Sequence, residues 1–527
     1  MNFQFSLRKA QGPEQGRGAI FPSQGSGPRA GSRGNFQSNF NFSIFKKRKE
    51  WFFLVGVLAF ILAYSLSTLT TKPAYWYDEA INVELARNFA DFGELDLVVA
   101  PNTFSGEGAT VGSTGYPVTV PLAGFFRLFG FGIAQARVYM LLWMSALIFV
   151  FFFIAQRLWG QRVAYAATLL FATFAPFYGN GRSVMGEIPG FLLFLLSFYF
   201  LERRKWWQSG VLLGLAVISK PSVFVFLIPA YILARAFSNE LWKERLITLL
   251  TLGAGSLIAL LPWFFIYAGE ISRGGLWQNL VEHFKNPYRE AGASVLQNII
   301  ANLPTLVTST TLLYLWAMLA VVIAALVFER ELFNRHRNLF LVAAGYVPLA
   351  LLQYLKSFGY LRYLIAAELL VFVLFVICLP VLVKRAVALG HSRENGNPEN
   401  DVKRKDWIPV FTGMTVAVMI LIQIIHLFWF SDIYPSEKTQ RTFVYLFREY
   451  PNETIGVYNV PQIASLLPSE RKYQYLSTYG LWQFGVDPFV VSPERRPGVI
   501  VADEDNPAFS AFYEKDTGFE EGFLVYR

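Results

Sequence analysis

Trp51-Phe-Phe-Leu-Val-Gly-Val-Leu-Ala-Phe-Ile-Leu-Ala-Tyr-Ser-Leu-Ser-Thr-Leu-Thr70, followed at once by Tyr75-Trp76-Tyr77-Asp78-Glu79, decides how the chain is read. The first stretch is apolar over about 20 residues, the length needed to cross a bilayer as a helix. The second sets two adjacent acids among three aromatic rings where such a helix would leave the membrane. Working outward, ten more apolar runs recur, at roughly 138–156, 160–178, 187–202, 206–219, 221–236, 246–268, 306–328, 338–355, 363–383 and 408–430. The fold class expected is an α-helical polytopic membrane protein of about eleven spans, with a small α/β domain after residue 430.

Composition agrees. Of 527 residues, 54% are hydrophobic and only 16% charged, which excludes an ordinary soluble enzyme. The net charge of +9 would suit nucleic acid if it were pooled on one surface. It is instead spread over short loops: Lys46–Lys49, Arg157 and Arg162, Arg203–Lys205, Arg235 with Lys243 and Arg245, Arg330 to Arg337, and Lys384-Arg385 with Lys403–Lys405. Those loops fall on one side of an eleven-span chain, which is the positive-inside pattern. The reading is therefore no nucleic-acid partner, the amino end inside, and residues 71–137 and 431–527 outside the cytoplasmic membrane. The single cysteine, Cys378, lies in an apolar run, and the four histidines are scattered, so neither a disulfide framework nor haem or zinc ligation is expected.

Three regions read differently from the spans. Residues 1–49 are polar, glycine-rich and basic, a disordered cytoplasmic tail. Residues 388–407 read as an insertion tolerated in a cytoplasmic loop; Ser392-Arg-Glu-Asn-Gly-Asn-Pro398, followed by Lys405-Asp-Trp-Ile-Pro-Val-Phe-Thr-Gly-Met-Thr415, resembles a translated bacterial intergenic repeat. In 431–527, β-rich runs at 454–458, 498–502 and 522–526 alternate with helical pieces, with no phosphate-binding glycine loop; a docking module or lid facing the acceptor is the expectation. Within the first outer loop, Ile81, Leu85 and Phe89 share one helical face, so 78–91 reads as an amphipathic helix on the membrane surface. Tyr116–Gly130 reads as interfacial, too short and proline-broken to span.

The chemistry-bearing residues sit on the outer side. Asp78 and Glu79 would serve equally well as a helix cap and a first-turn acid. Among Tyr75, Trp76 and Tyr77, however, a carboxylate is a candidate to take a proton from a hydroxyl. Glu187 opens an apolar span, where an unpartnered carboxylate is costly, so it should face a partner inside the protein. Lys220 lies between two short spans and Arg362 at the start of another; snorkelling is the bland account of the lysine. Arg182 occupies the loop before Glu187. Arginine grips phosphate with a fork of donors and lysine as a point charge. Two or three such cations beside carboxylates suit a lipid phosphate.

Tyr77-Asp78-Glu79 after the first span resembles the Asp-Glu motif of the GT-C glycosyltransferases, in the branch of protein O-mannosyltransferases and lipid A aminoarabinose transferases. Arg182…Glu187, Gly214-Leu215-Ala216…Ser219-Lys220-Pro221, Arg362-Tyr363 and Tyr116-Pro117 are similar to that branch in the same order, over residues 50–385. The resemblance implies a catalytic transmembrane domain over 50–430. It implies inverting transfer of a sugar from a polyprenyl-phosphate donor to a glycan, lipid or protein acceptor outside the membrane. Asp78 would be the general base. Glu79 and Glu187 would shape the site or bind a sugar hydroxyl, and Lys220, Arg362 and Arg182 would hold the donor phosphate, with Tyr77 and Tyr363 lining the substrate. No cofactor is required by the spacing; a divalent cation, held by Asp78 and Glu187, is compatible with it. A lipid-linked glycan transporter and a non-catalytic envelope scaffold are the rival readings. The absence of an internal repeat and the clustering of charge outside the spans weigh against the transporter.

Overall fold

The computed structural model describes residues 48–273, 281, 294–391, 399–430, 436–468, 472–476, 496–507 and 509–527. Tail residues 1–47 and insertion residues 392–398 lie outside the described residues. The chain divides into two units, 1–51 and 52–527, and the description that follows concerns the second.

Every expected span is helical. The principal helices are α1 (Arg48–Leu66), α2 (Tyr77–Phe92), α3 (Tyr116–Phe129), α4 (Ile133–Leu158), α5 (Gln161–Thr173), α6 (Glu187–Glu202), α7 (Trp206–Ser219), α8 (Leu227–Ala236) and α9 (Trp242–Ile266). They continue with α10 (Val295–Asn302), α11 (Thr310–Phe328), α12 (Arg337–Lys356), α13 (Ile365–His391), α14 (Glu399–Ile425) and α15 (Lys438–Glu449). Among the described residues seven helices are long and apolar enough to cross a membrane: α1, α4, α9, α11, α12, the segment 361–387 and the segment 408–429. The segments expected at 160–178, 187–202, 206–219 and 221–236 form shorter helices; α6, for example, has 16 residues, about 24 Å of rise. The molecule is a multi-pass membrane protein.

Burial separates the spans into two kinds. The apolar window of 361–387 is 94% buried, whereas those of α9 and α14 are only 17% and 11% buried. The first is the core pillar; the other two present apolar side chains outward, as lipid-facing helices do.

Beyond the membrane part, four strands form one sheet: β1 (Ile455–Tyr458), β2 (Tyr473–Tyr475), β3 (Val499–Ala502) and β4 (Leu524–Tyr526), in the order β2-β1-β3-β4. β1 is parallel to both neighbours, Ile455 standing opposite Tyr473 and Val499, and β4 is antiparallel to β3. β1 and β3 read Ile-Gly-Val-Tyr and Val-Ile-Val-Ala, the near-continuous apolar runs of strands covered on both faces. Three of these strands were legible as β-rich runs; β2, Tyr-Gln-Tyr, was not.

The helix expected to lie on the membrane surface is instead enclosed. In α2, residues 79–88 and Ala90 are buried, because α3 packs on one side and the turn at 461–464 of the carboxyl-terminal domain on another. Ile81 and Leu85 join one apolar cluster with Ile455, Val457, Val499 and Val501. Burial of each such side chain contributes about 1.5–3 kcal/mol. Gly93, with φ +77°, ends the helix as a left-handed cap, its N–H donating to Phe89 O at 3.1 Å.

Candidate active site

The first turn of α2 places Asp78 and Glu79 about 100° apart around the helix, so they meet different partners. The helix begins at Tyr77, and its N-cap is Trp76, with no side-chain cap. Asp78 does not cap. Its Oδ2 accepts from Arg362 Nη2 at 2.6 Å, with the arginine 9% and the acid 23% exposed. The guanidinium is stacked among aromatic rings: Trp76 at 4.3 Å, Tyr360 at 4.8 Å and Tyr363 at 5.4 Å from its carbon. Arg362 Nε and Nη1 are buried without a hydrogen-bond partner among the described residues.

Lys220 and Glu187 form the second pair of the same group. Nζ lies 4.0 Å from Oε1, both side chains are buried, and among the described residues both Glu187 oxygens lack a hydrogen-bond donor. Burial pushes the Lys220 ammonium below the usual lysine range; the charges of Glu187 and Asp78 oppose that, and Arg362 adds to it. Asp78, Arg362, Lys220 and Glu187 therefore act on one another as one cluster, two acids and two bases, formally neutral.

Glycines make this approach possible. A methyl group at Gly186 would run into Ser219 O and come within 2.9 Å of Lys220 Cβ, and one at Gly115 would strike Ile218 O. Gly115 N also donates to Ser219 O at 3.2 Å. The end of α7 is thus held between two loops that carry no side chain at the contact. Asn82, one turn beyond Asp78, fastens both loops to α2: its Nδ2 donates to Val184 O at 2.8 Å and to Thr114 Oγ1 at 3.0 Å.

Glu79 has a different place. It is fully buried and takes both donors of Arg137 side-on, Nε at 2.9 Å and Nη2 at 2.8 Å; Arg137 Nη1 donates to Leu69 O at 2.9 Å. Arg182 stands beside that pair and away from the four-residue cluster, donating to Thr68 Oγ1 at 3.0 Å with its guanidinium over the Tyr64 ring at 5.6 Å. Burial brings it down to about 10, with Tyr64 opposing and Arg137 adding to the effect. Tyr77 turns into the apolar cluster shared with the carboxyl-terminal sheet, and Tyr363 lies under Arg362. Of the expected site residues, the structure brings together Asp78, Glu187, Lys220, Arg362 and Tyr363, and sets Glu79, Arg182 and Tyr77 apart.

Arg137 and Asn82 were not singled out from the sequence, and Trp76 was read only as an aromatic neighbour of the acids. Arg137 was within reach of the criterion that picked Glu187: a charge at the outer edge of an apolar run needs a partner. Asn82 carried no such signal. Among the described residues no group of three or more His, Cys, Asp and Glu side chains is placed to hold a metal ion.

Comparisons with known proteins agree with this architecture. The profile of the family described as dolichyl-phosphate-mannose-protein mannosyltransferase matches residues 119–266. The structure is similar to that of ArnT from Cupriavidus metallidurans bound to undecaprenyl phosphate, with a TM-score of 0.58 at 15% identity, covering 91% of this chain and 98% of that one. The apo form of ArnT gives 0.56 at 14% identity over the same shares. An archaeal oligosaccharyltransferase, AglB from Archaeoglobus fulgidus, gives 0.47 at 12% identity, covering 82% of this chain and 65% of that one. A search of curated proteins gives no match. The fold is that of the GT-C membrane glycosyltransferases.

Proposed function

We propose, on the premise of the GT-C fold, that this chain is an inverting glycosyltransferase. It moves a sugar from a polyprenyl-phosphate donor to a hydroxyl acceptor on the outer side of a cytoplasmic membrane. The observation that carries the reading is the convergence of buried Arg362, Lys220 and Glu187 with part-exposed Asp78 in one cluster with donors and acceptors left over. Buried polar groups without partners are uncommon and call for an explanation, among them a catalytic role or a bound ion or water. Undecaprenyl phosphate in the similar ArnT structure and dolichyl phosphate in the name of the matching family are both polyprenyl phosphates, and they support this donor class.

In the reaction the acceptor oxygen attacks the anomeric carbon from the face opposite the phosphate, and its proton passes to Asp78. The bond between the anomeric carbon and the phosphate oxygen breaks, and polyprenyl phosphate leaves with the electron pair. Lys220 and Arg362 stabilise the charge that grows on that phosphate, in a site where water screens little. Glu187 keeps Lys220 in place and offers two oxygens to sugar hydroxyls. Glu79, paired with Arg137, anchors the first turn of α2, which carries Asp78. Should a divalent cation take part, Asp78 and Glu187 would hold it, and it would add positive charge beside the leaving phosphate.

The orientation follows from the basic loops: amino end inside, Asp78 and the carboxyl-terminal domain outside. The acceptor is a glycan, lipid or protein with a free hydroxyl; mass spectrometry of envelope glycans with and without the chain identifies it. Asp78→Asn should reduce sugar transfer from a polyprenyl-phosphate donor in membranes by at least about a hundredfold, the usual worth of a positioned base. Undiminished transfer would remove Asp78 from that role. Movement of an intact lipid-linked glycan with no transfer by the wild type would favour a transporter.

A further inference from the structure

The position of Arg362 is decided by the segment before it, and that segment is gripped from outside its own helix. α12 ends at Lys356, and a helix end leaves its last carbonyls without intrahelical donors. Asn302 supplies one: its Nδ2 lies 3.4 Å from Tyr354 O, 3.1 Å from Leu355 O and 2.7 Å from Ser357 O. Asn298, one turn earlier on the same face of α10, donates to Lys356 O at 3.1 Å. Immediately after, Gly359 adopts φ +71°, and a methyl group there would run into Asn302 Oδ1. The chain then enters the turn Leu361–Leu364, which presents Arg362 to Asp78. Two amide side chains thus replace the usual glycine cap and set the path into the arginine.

The helix that carries them is built inside out. Asn298 and Asn302 are its buried residues. Leu296, Ile300 and Leu303, with Val307 just beyond, recur at i, i+4, i+7 and i+11 and are 66%, 60%, 48% and 68% exposed. An apolar face turned outward and amides turned inward suit a helix seated against lipid. Its start is fixed by a capping box: Ser294 Oγ accepts from Gln297 N at 3.2 Å, and Ser294 N donates to Gln297 Oε1 at 2.9 Å.

We propose that Asn302, assisted by Asn298, is a positioning residue for the donor phosphate: α10 sits in the lipid boundary and holds the 354–359 turn so that Arg362 faces the cluster. This rests on the glycosyltransferase reading above. Asn302 touches no reacting atom; it acts through Arg362.

The test uses the full chain in lipid nanodiscs, with undecaprenyl phosphate as the binding probe and transfer assayed at saturating donor. Asn302→Asp keeps the shape but cannot donate. It should weaken undecaprenyl phosphate binding about tenfold, the size expected for one lost buried hydrogen bond, and lower kcat as well, because Arg362 also stabilises the leaving phosphate. Gly359→Ala should weaken binding in the wild type and do so less in an Asn302→Ala background, since the collision with Oδ1 is gone there; such non-additivity marks direct contact. Should Asn302→Asp fail to fold, Asn298→Ala gives the milder reading, about threefold. Wild-type binding by Asn302→Asp, together with loss of binding by Arg362→Ala, would overturn the positioning role alone. Equal binding by Arg362→Ala and wild type would overturn the donor-phosphate reading and this inference with it.

Discussion

Asp78 and Glu79 are neighbours in sequence with separate employments, and substitution should expose the difference. Glu79→Gln leaves Arg137 charged in a fully buried place. Removing one partner of such a pair costs about 3–5 kcal/mol, so this variant should show a lowered thermal midpoint and poor yield. Asp78 is part-exposed and its partner Arg362 remains stacked on three rings, so Asp78→Asn should keep its midpoint and lose transfer. Equal thermal stability of the two variants would contradict the division. Lys220 offers a pH test. Its charged form is the one that binds phosphate, and its pKa is depressed by burial, with Glu187, Asp78 and Arg362 facing it. The alkaline limb of kcat/KM, which reports the free enzyme, should therefore fall below the pH at which an ordinary lysine titrates. Lys220→Arg, with a group that stays protonated, should abolish that limb if activity survives.

At the scale of elements, α2 is the hub. One face carries Asp78 and Asn82 to the site, another carries Glu79 to α4, and a third carries Glu84 and Arg87 to the carboxyl-terminal domain. Glu84 is fully buried and accepts from Tyr473 at 2.7 Å and Tyr475 at 2.6 Å, with Arg87 3.7 Å away. Arg87 donates to Ala464 O at 3.0 Å and Ser465 O at 3.3 Å, and Tyr75 and Ser465 share a hydrogen bond of 2.9 Å. Through these contacts the carboxyl-terminal domain holds α2. Burial raises the Glu84 carboxyl above its ordinary range, against the pull of Arg87 and the two tyrosines. A raised folded pKa means stability that is present at low pH and lost as pH climbs through the folded value. The difference in thermal midpoint between Glu84→Gln and wild type should therefore shift in favour of the variant as pH rises above the ordinary glutamate range. A pH-independent difference would show that Glu84 does not change its proton on unfolding.

For the whole molecule, the proposed sidedness is open to a direct check. The chain has one cysteine, Cys378, and it is buried in a span. A second cysteine at the exposed position 504, Glu504→Cys, should react with a membrane-impermeant maleimide on intact spheroplasts. Labelling only after lysis would place the carboxyl-terminal domain inside and reverse the orientation argued from Arg203–Lys205 and the other basic loops. The pairing of a buried pillar at 361–387 with lipid-facing α9 and α14 then says which helices carry the site: Arg362 rides at the top of the pillar.

Composition and period alone determined the membrane class, the helices at all eleven expected places, and three of the four strands of the carboxyl-terminal sheet. They could, because apolar length and β-branched runs are local properties of a chain. The charged candidates were legible too, since a lone charge at the edge of an apolar run demands explanation by itself. Who partners whom was decided by tertiary structure. Asp78 meets Arg362 across 284 residues and Glu79 meets Arg137 across 58, and no local pattern encodes such distances. The enclosure of α2 is of the same kind: Glu84 reads as one more polar residue on a surface helix until Tyr473 and Tyr475, nearly 400 positions later, close over it.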